Sequence, residues 1–160
     1  MALRTIRIAG DPVLEKVCRE VKEMNPRTQD LIDDMFDTMY DACGVGLAAP
    51  QVGILKRIVV IDCGDDPICM INPVITLREG EQTGGEGCLS LPGKTGTVTR
   101  PMHVIAEAYD RNMQKITVEG EGLLARAICH ECDHLDGHMY MELVEDGLYD
   151  VDMEAMEEES

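Results

Sequence analysis

The chain has 160 residues, of which 31 are Asp or Glu and 14 are Lys or Arg, giving a formal net charge of −17. Such a surface repels phosphate backbones, so direct nucleic-acid binding is not expected, and the length suits one domain that buries roughly two thirds of its unfolded surface. Seven cysteines, an odd number, and a start without a long apolar stretch predict a cytoplasmic protein in a reducing compartment, and no apolar run approaches the ~18 residues of a membrane span.

In chain order, Asn25-Pro26 has the pattern of a cap followed by a proline at the first helical position. Leu31, Ile32, Met35 and Met39 then recur on one helical face, which predicts a helix ending near Cys43-Gly44. Residues 57–62 are short and β-branched, and 68–77 are similar apart from a break at Asn72-Pro73, so both predict strands. Residues 104–109 and 115–118 flank a polar stretch at 110–113, the pattern of an antiparallel hairpin. A second helix is predicted after Gly122, with its end at Asp136-Gly137. The last 19 residues, 142–160, hold nine acidic residues and no Lys or Arg and read as a solvated tail. Helix, strands with glycine-rich connections, then helix points to an α+β fold with antiparallel pairing, not regular βαβ alternation. Eleven methionines against one Phe and no Trp predict a core filled by thioethers and aliphatics.

Three segments carry chemistry. In His130-Glu131-Cys132-Asp133-His134 a helical backbone places two imidazoles one turn apart and pointing the same way, a clamp for a metal, with the Glu131 carboxylate beside it to exchange protons. In Glu86-Gly87-Cys88-Leu89-Ser90 a cysteine lies between glycine-permitted turns and a proline, which predicts a fixed loop and offers a thiolate, a good ligand for Zn(II) or Fe(II). In Gly44-Val45-Gly46-Leu47-Ala48-Ala49-Pro50-Gln51 small residues allow close approach of a substrate backbone, and the Gln51 amide could donate to an oxygen as charge develops on it.

Together these segments resemble the three signature motifs of peptide deformylases, which remove the formyl group from the initiator methionine of new bacterial polypeptides. The resemblance runs from about Arg4 to Val144 and includes Gly10-Asp11-Pro12-Val13-Leu14, Gln51-Val52-Gly53 and Asn72-Pro73. It implies one catalytic domain over 1–144 with an acidic tail over 145–160. The implied fold is α+β, with antiparallel sheets around a C-terminal metal-binding helix and an N-terminal helix. Fe(II) is the implied metal, with Zn(II) or Ni(II) able to substitute. By the same resemblance Cys88, His130 and His134 are the metal ligands, Glu131 is the general base and then acid, and Gln51 with the Leu89 backbone N–H stabilises the oxyanion. Val45 and Gly46 would receive the peptide backbone, and the methionine pocket would lie near Val45, Leu123, Arg126, Ala127 and His130. Glu86 and Arg100 match positions whose charges pair, and Asp133 is a candidate to orient a ligand imidazole. Partners implied are N-formylmethionyl nascent peptides. A transient ribosome contact would have to avoid the C-terminus, since certain relatives end in a basic helix whereas this chain ends in acid.

Two rivals remain at this point. In a zincin-type metalloprotease the same helix motif is completed by a downstream glutamate, here Glu154, 20 residues beyond His134. A structural metal module would need a closed shell of four ligands, whereas three are in evidence.

Overall fold

The tetrapeptide Ile58-Val59-Val60-Ile61 forms strand β2, buried along its whole length. Apolar side chains on both faces of a strand need a cover on each side, and the two covers organise the molecule. In the computed structural model, which describes residues 2–64, 66–145 and 147–150, Val59 and Ile61 pack into one core with helix α2 (Leu123–Leu135). Ile58 and Val60 pack into a second core with Leu31, Ile32, Met35 and Met39 of helix α1 (Pro26–Asp41). Strands β1 (Gly46–Ala48), β3 (Ile68–Glu79), β6 (His103–Tyr109) and β7 (Lys115–Glu121) complete an antiparallel sheet of order β1-β2-β3-β6-β7. Between β3 and β6 the chain makes a separate hairpin, β4 (Gln82–Cys88) and β5 (Leu91–Arg100), extended by β8 (Tyr149–Asp150). The expected α+β architecture is therefore present, with α2 against the inner face of the larger sheet. No described helix is long and apolar enough to cross a membrane.

Local chemistry accounts for the boundaries. The Asn25 side chain accepts the Thr28 N–H at 2.9 Å, capping α1 at Pro26. The helix stops at Asp41, just short of the expected Cys43-Gly44, because Cys43 turns into left-handed backbone at φ 57°. The Asn72-Pro73 break in β3 is an irregularity in its pairing with β6, where Asn72 has φ 53°. The Asn72 amide accepts the Val21 N–H and donates to the Val21 carbonyl, both at 2.8 Å, and so ties the N-terminal arm to the sheet.

Two expectations need correction. Residues 82–100 are a paired hairpin, not connecting loop, so Cys88 is the last residue of a strand rather than part of a loop. Glycine hides this strand from a search for apolar alternation, yet it suits the close packing: a Cβ at Gly87 would lie 3.4 Å from the Lys94 carbonyl oxygen. The start of the acidic end is exposed, as expected, but it is paired to the hairpin and not a free tail. Glu145 N–H donates to the Thr97 carbonyl at 3.0 Å, and Tyr149 and Asp150 pair with Thr95 and Lys94. Residues 151–160, the rest of that tail, lie outside the described residues.

Replacing Asn72 by alanine removes both bonds to Val21 and leaves a β-carbon strained at positive φ. We expect a loss of about 3 kcal/mol in denaturant unfolding, with Asn72→Gly about 1 kcal/mol milder because only the strain is relieved. Equal losses for the two variants would remove backbone strain from this account.

Candidate metal centre

Helix α2 begins after Gly122, whose φ of 59° and ψ of −122° turn the chain sharply and whose carbonyl accepts the Gln82 amide at 2.7 Å. Along α2 the four-residue repeat brings Leu123, Ala127, His130 and His134 to one face. The two imidazoles meet edge to face with ring centroids 5.0 Å apart. Hairpin β4–β5 delivers Cys88 against them, its Sγ 3.3 Å from His134 Nε2. The three potential ligand atoms of Cys88, His130 and His134 all lie within 4.8 Å of one another. One thiol sulfur and two imidazole nitrogens are a donor set suited to Zn(II) or Fe(II), so the residues fit a resident divalent metal.

The His130 ring is held from behind. Its Nδ1 lies 2.7 Å from Glu86 Oε2, which leaves Nε2 to face Cys88 and His134. Glu86 is itself buried and receives Arg100 Nε at 3.1 Å, Arg100 Nη2 at 2.7 Å and Arg126 Nη1 at 2.9 Å. Burial alone would raise the Glu86 carboxyl, but His130 and Arg100 outweigh it and hold it down at about 2. Arg100 also donates to Asp133 at 2.7 Å. Asp133 thus braces the arginine, not a ligand imidazole, which corrects that expectation, while the Glu86–Arg100 pair is present as the resemblance implied. For His134, burial is the main influence and depresses the imidazole to about 3, keeping it neutral as a ligand must be.

Glu131 is buried beside the clamp, its Oε1 without a hydrogen-bond partner among the described residues. Burial pushes its carboxyl up to about 7 against the opposing pull of His130. Its other oxygen lies over β1, 2.5 Å from where a Cβ on Gly46 would stand. A methyl group there would force the Glu131 side chain aside. Gln51, in the turn after β1, is buried with its side chain fixed at both ends: Oε1 accepts the Ala48 N–H at 2.9 Å, and Nε2 donates to Ser90 Oγ at 3.1 Å and, at a longer 3.5 Å, to Cys88 Sγ. The N-terminal arm joins the same two segments, with Arg7 N–H donating to the Gln51 carbonyl and Ala9 N–H to the Ser90 carbonyl, both at 2.7 Å.

The remaining candidates are placed as follows. Val45 and Leu123 are exposed, at 42% and 53%, and Ala127 is nearly buried. Among the described residues β1 pairs only with β2, so its outer edge at Gly46 is open. The Leu89 side chain lies over Gly44. The Arg126 guanidinium turns away into Glu86 and the Val98 carbonyl, and is not free to contact a ligand. Cys129 and Cys132 pack in the core, as expected, with burial pushing Cys132 up to about 12. Ser90, the Glu86–His130 bond and Tyr140, whose ring stacks on His130, escaped sequence reasoning. One signal was present: Glu86 and Cys88 are two apart, which on a strand puts both on one face.

Comparison with known proteins agrees with this geometry. Residues 3–147 match the family model for polypeptide deformylase. The chain is 65% identical over 158 residues to the peptide deformylase of Agathobacter rectalis, covering 99% of this chain and 100% of that one. It is 60% identical over 162 residues to that of Lachnoclostridium phytofermentans, covering 99% of each. Among solved structures, the Legionella pneumophila peptide deformylase superposes with a TM-score of 0.88 at 42% identity, over 91% of this chain and 88% of that one. The Synechococcus elongatus enzyme in complex with actinonin does so with a TM-score of 0.86 at 40% identity, over 88% and 78%. The zincin reading is not favoured, since nearly the whole chain matches peptide deformylases; Glu154, on which that reading relied, lies outside the described residues. The Cys88-His130-His134 cluster, the fold that assembles it and the length of the match make this chain a member of the polypeptide deformylase family.

Proposed function

We propose that Cys88, His130 and His134 hold the catalytic metal of this enzyme, that Glu131 moves the protons, and that Gln51 and the Leu89 backbone N–H receive the developing oxyanion. The reaction is hydrolysis of the formamide at the N-terminus of newly made polypeptides, releasing formate and a free methionyl amine. The observation that carries the site assignment is the convergence of one thiol and two imidazoles beside a buried carboxylate with an unpaired oxygen. Peptide deformylases are metalloenzymes; Fe(II), which the family resemblance implies, is our choice for the resident ion, and the sulfur and two nitrogens would also accept Zn(II) or Ni(II). When bound, such an ion lowers the pKa of water and polarises the formyl oxygen.

The chain's own groups do the rest. Glu131 takes a proton from the attacking water and returns it to the departing amine, and a carboxyl raised to about 7 suits both steps near neutral pH. Of the two Gln51 amide hydrogens, one is committed to Ser90 and the other only loosely to Cys88, so the second is available to an oxyanion. The open edge at Val45 and Gly46 receives the peptide as an added strand. Leu123 and Ala127 flank the methionine side chain, with Arg126 contributing its aliphatic stem. We place the enzyme in the cytoplasm, acting on N-formylmethionyl nascent chains. Any ribosome contact uses a surface other than a basic C-terminal helix.

Purified anaerobically with Fe(II), the protein should release amine from a formyl-Met dipeptide. Glu131→Ala should keep its metal and lose at least about a hundredfold in turnover. Full turnover in that variant would overturn the mechanism. A methyl group at Gly46 displaces the Glu131 carboxylate, so Gly46→Ala should lower kcat by about tenfold or more while metal content stays the same.

Glu86→Gln tests the support behind His130. It leaves the buried Arg100 and Arg126 facing a neutral amide and should cost about 3–5 kcal/mol in unfolding of the metal-free protein. Metal affinity, read by competition with a chelator, should fall about 10–100-fold.

A further inference from the structure

Tyr140 is 1% exposed and touches both halves of the metal centre. Its ring stacks on the His130 imidazole, with centroids 5.8 Å apart and planes at 29°. Its hydroxyl donates to the Lys94 carbonyl at 3.3 Å, on the strand that pairs with the one carrying Glu86 and Cys88. Glu86 fixes the edge of the His130 ring through Nδ1, and Tyr140 covers its face.

The residues after Tyr140 keep it there. The Glu142 carboxylate accepts the Met139 N–H at 2.6 Å and closes the turn around Tyr140. Val144 and Leu148 then lie on Gly96, where a Cβ would come within 2.6 Å of Val144 Cγ2. Thr99 Oγ1 donates to Glu145 at 2.6 Å, β8 pairs with Thr95 and Lys94, and Lys94 Nζ meets the Asp150 carboxylate. This segment is a strap along the outer edge of β5, with Tyr140 as its inward anchor.

We infer that Tyr140 is a positioning residue for the metal centre: its ring sets the plane of the His130 imidazole, and its hydroxyl, backed by the strap, sets the spacing between helix α2 and the Cys88 hairpin. The inference rests on the reading that Cys88, His130 and His134 hold a metal. Glu86 and Tyr140 restrain the ring along different directions, so loss of Tyr140 lets it tilt about the Glu86 bond. A tilt of that kind changes ligand geometry without removing a ligand.

The test compares Tyr140→Leu and Tyr140→Phe with the natural protein, each loaded with Co(II), whose visible spectrum reports thiolate ligation and coordination geometry. Tyr140→Leu should release Co(II) to a chelator about 10–100-fold more readily, shift the visible bands and lower kcat with KM unchanged. Tyr140→Phe keeps the ring and loses one hydrogen bond, so its change should be about fivefold. A purely structural role would lower unfolding stability and leave the spectrum and the metal release of the folded protein untouched. That result for Tyr140→Leu overturns the inference. Should Tyr140→Leu fail to fold, Tyr140→Met, which fills the site without a ring, carries the same test, and a natural spectrum with natural metal release in that variant overturns the inference. A natural protein that shows the thiolate band without deformylating undoes the proposed activity alone, whereas one lacking the band undoes the ligand set and this inference with it.

Discussion

The site depends on one buried carboxylate. Glu86 accepts from Arg100, Arg126 and His130 at once, and in doing so joins hairpin β4–β5 to helix α2. Taking these charges out of water is costly, and a hydrophobic replacement of similar volume could be as stable. What the cluster supplies is direction: every hydrogen bond has one geometry, so the ring of His130 and the strand that bears Cys88 are held in a single relation. Remove Glu86 and the arginines have no buried partner of comparable charge, while His130 loses the bond that selects which nitrogen faces Cys88 and His134.

Most of the scaffold was legible before any coordinates. Helix α1, strand β2, the β6–β7 hairpin and helix α2 announce themselves because capping residues, β-branched runs and a four-residue repeat are local signals. The β4–β5 hairpin was not legible. Its glycines and threonines satisfy a backbone ladder without showing an apolar face, and its partner is supplied by the chain's far end. The candidate ligands Cys88, His130 and His134 are legible as motifs and the fold brings them together, whereas the Glu86–His130 bond spans 44 positions and has no local signature. Asp133 misled for a related reason: adjacency to the histidines in sequence suggested an imidazole partner, but helical rotation sends its carboxylate to Arg100.

The chain has seven cysteines, and the proposed reaction uses one thiolate. Burial separates them chemically. It raises Cys18 to about 11 and Cys69 and Cys132 to about 12, and raises Cys129 as well. Those thiols stay protonated, and so are poor nucleophiles and poor ligands for a stray ion. Among the described residues Cys88 is the cysteine that meets two imidazoles and an amide N–H donor, the surroundings that the proposed metal ligand requires.

The hydrogen bonds from the Arg7 and Ala9 N–H groups to the Gln51 and Ser90 carbonyls bear on how the protein comes into being. The centre draws on residues near positions 8, 51, 88, 130 and 140, so no partial product of translation holds a working copy. Contacts between such remote segments form late and together. A complete centre of this kind therefore assembles only after residue 140 has been made and all five segments have come together.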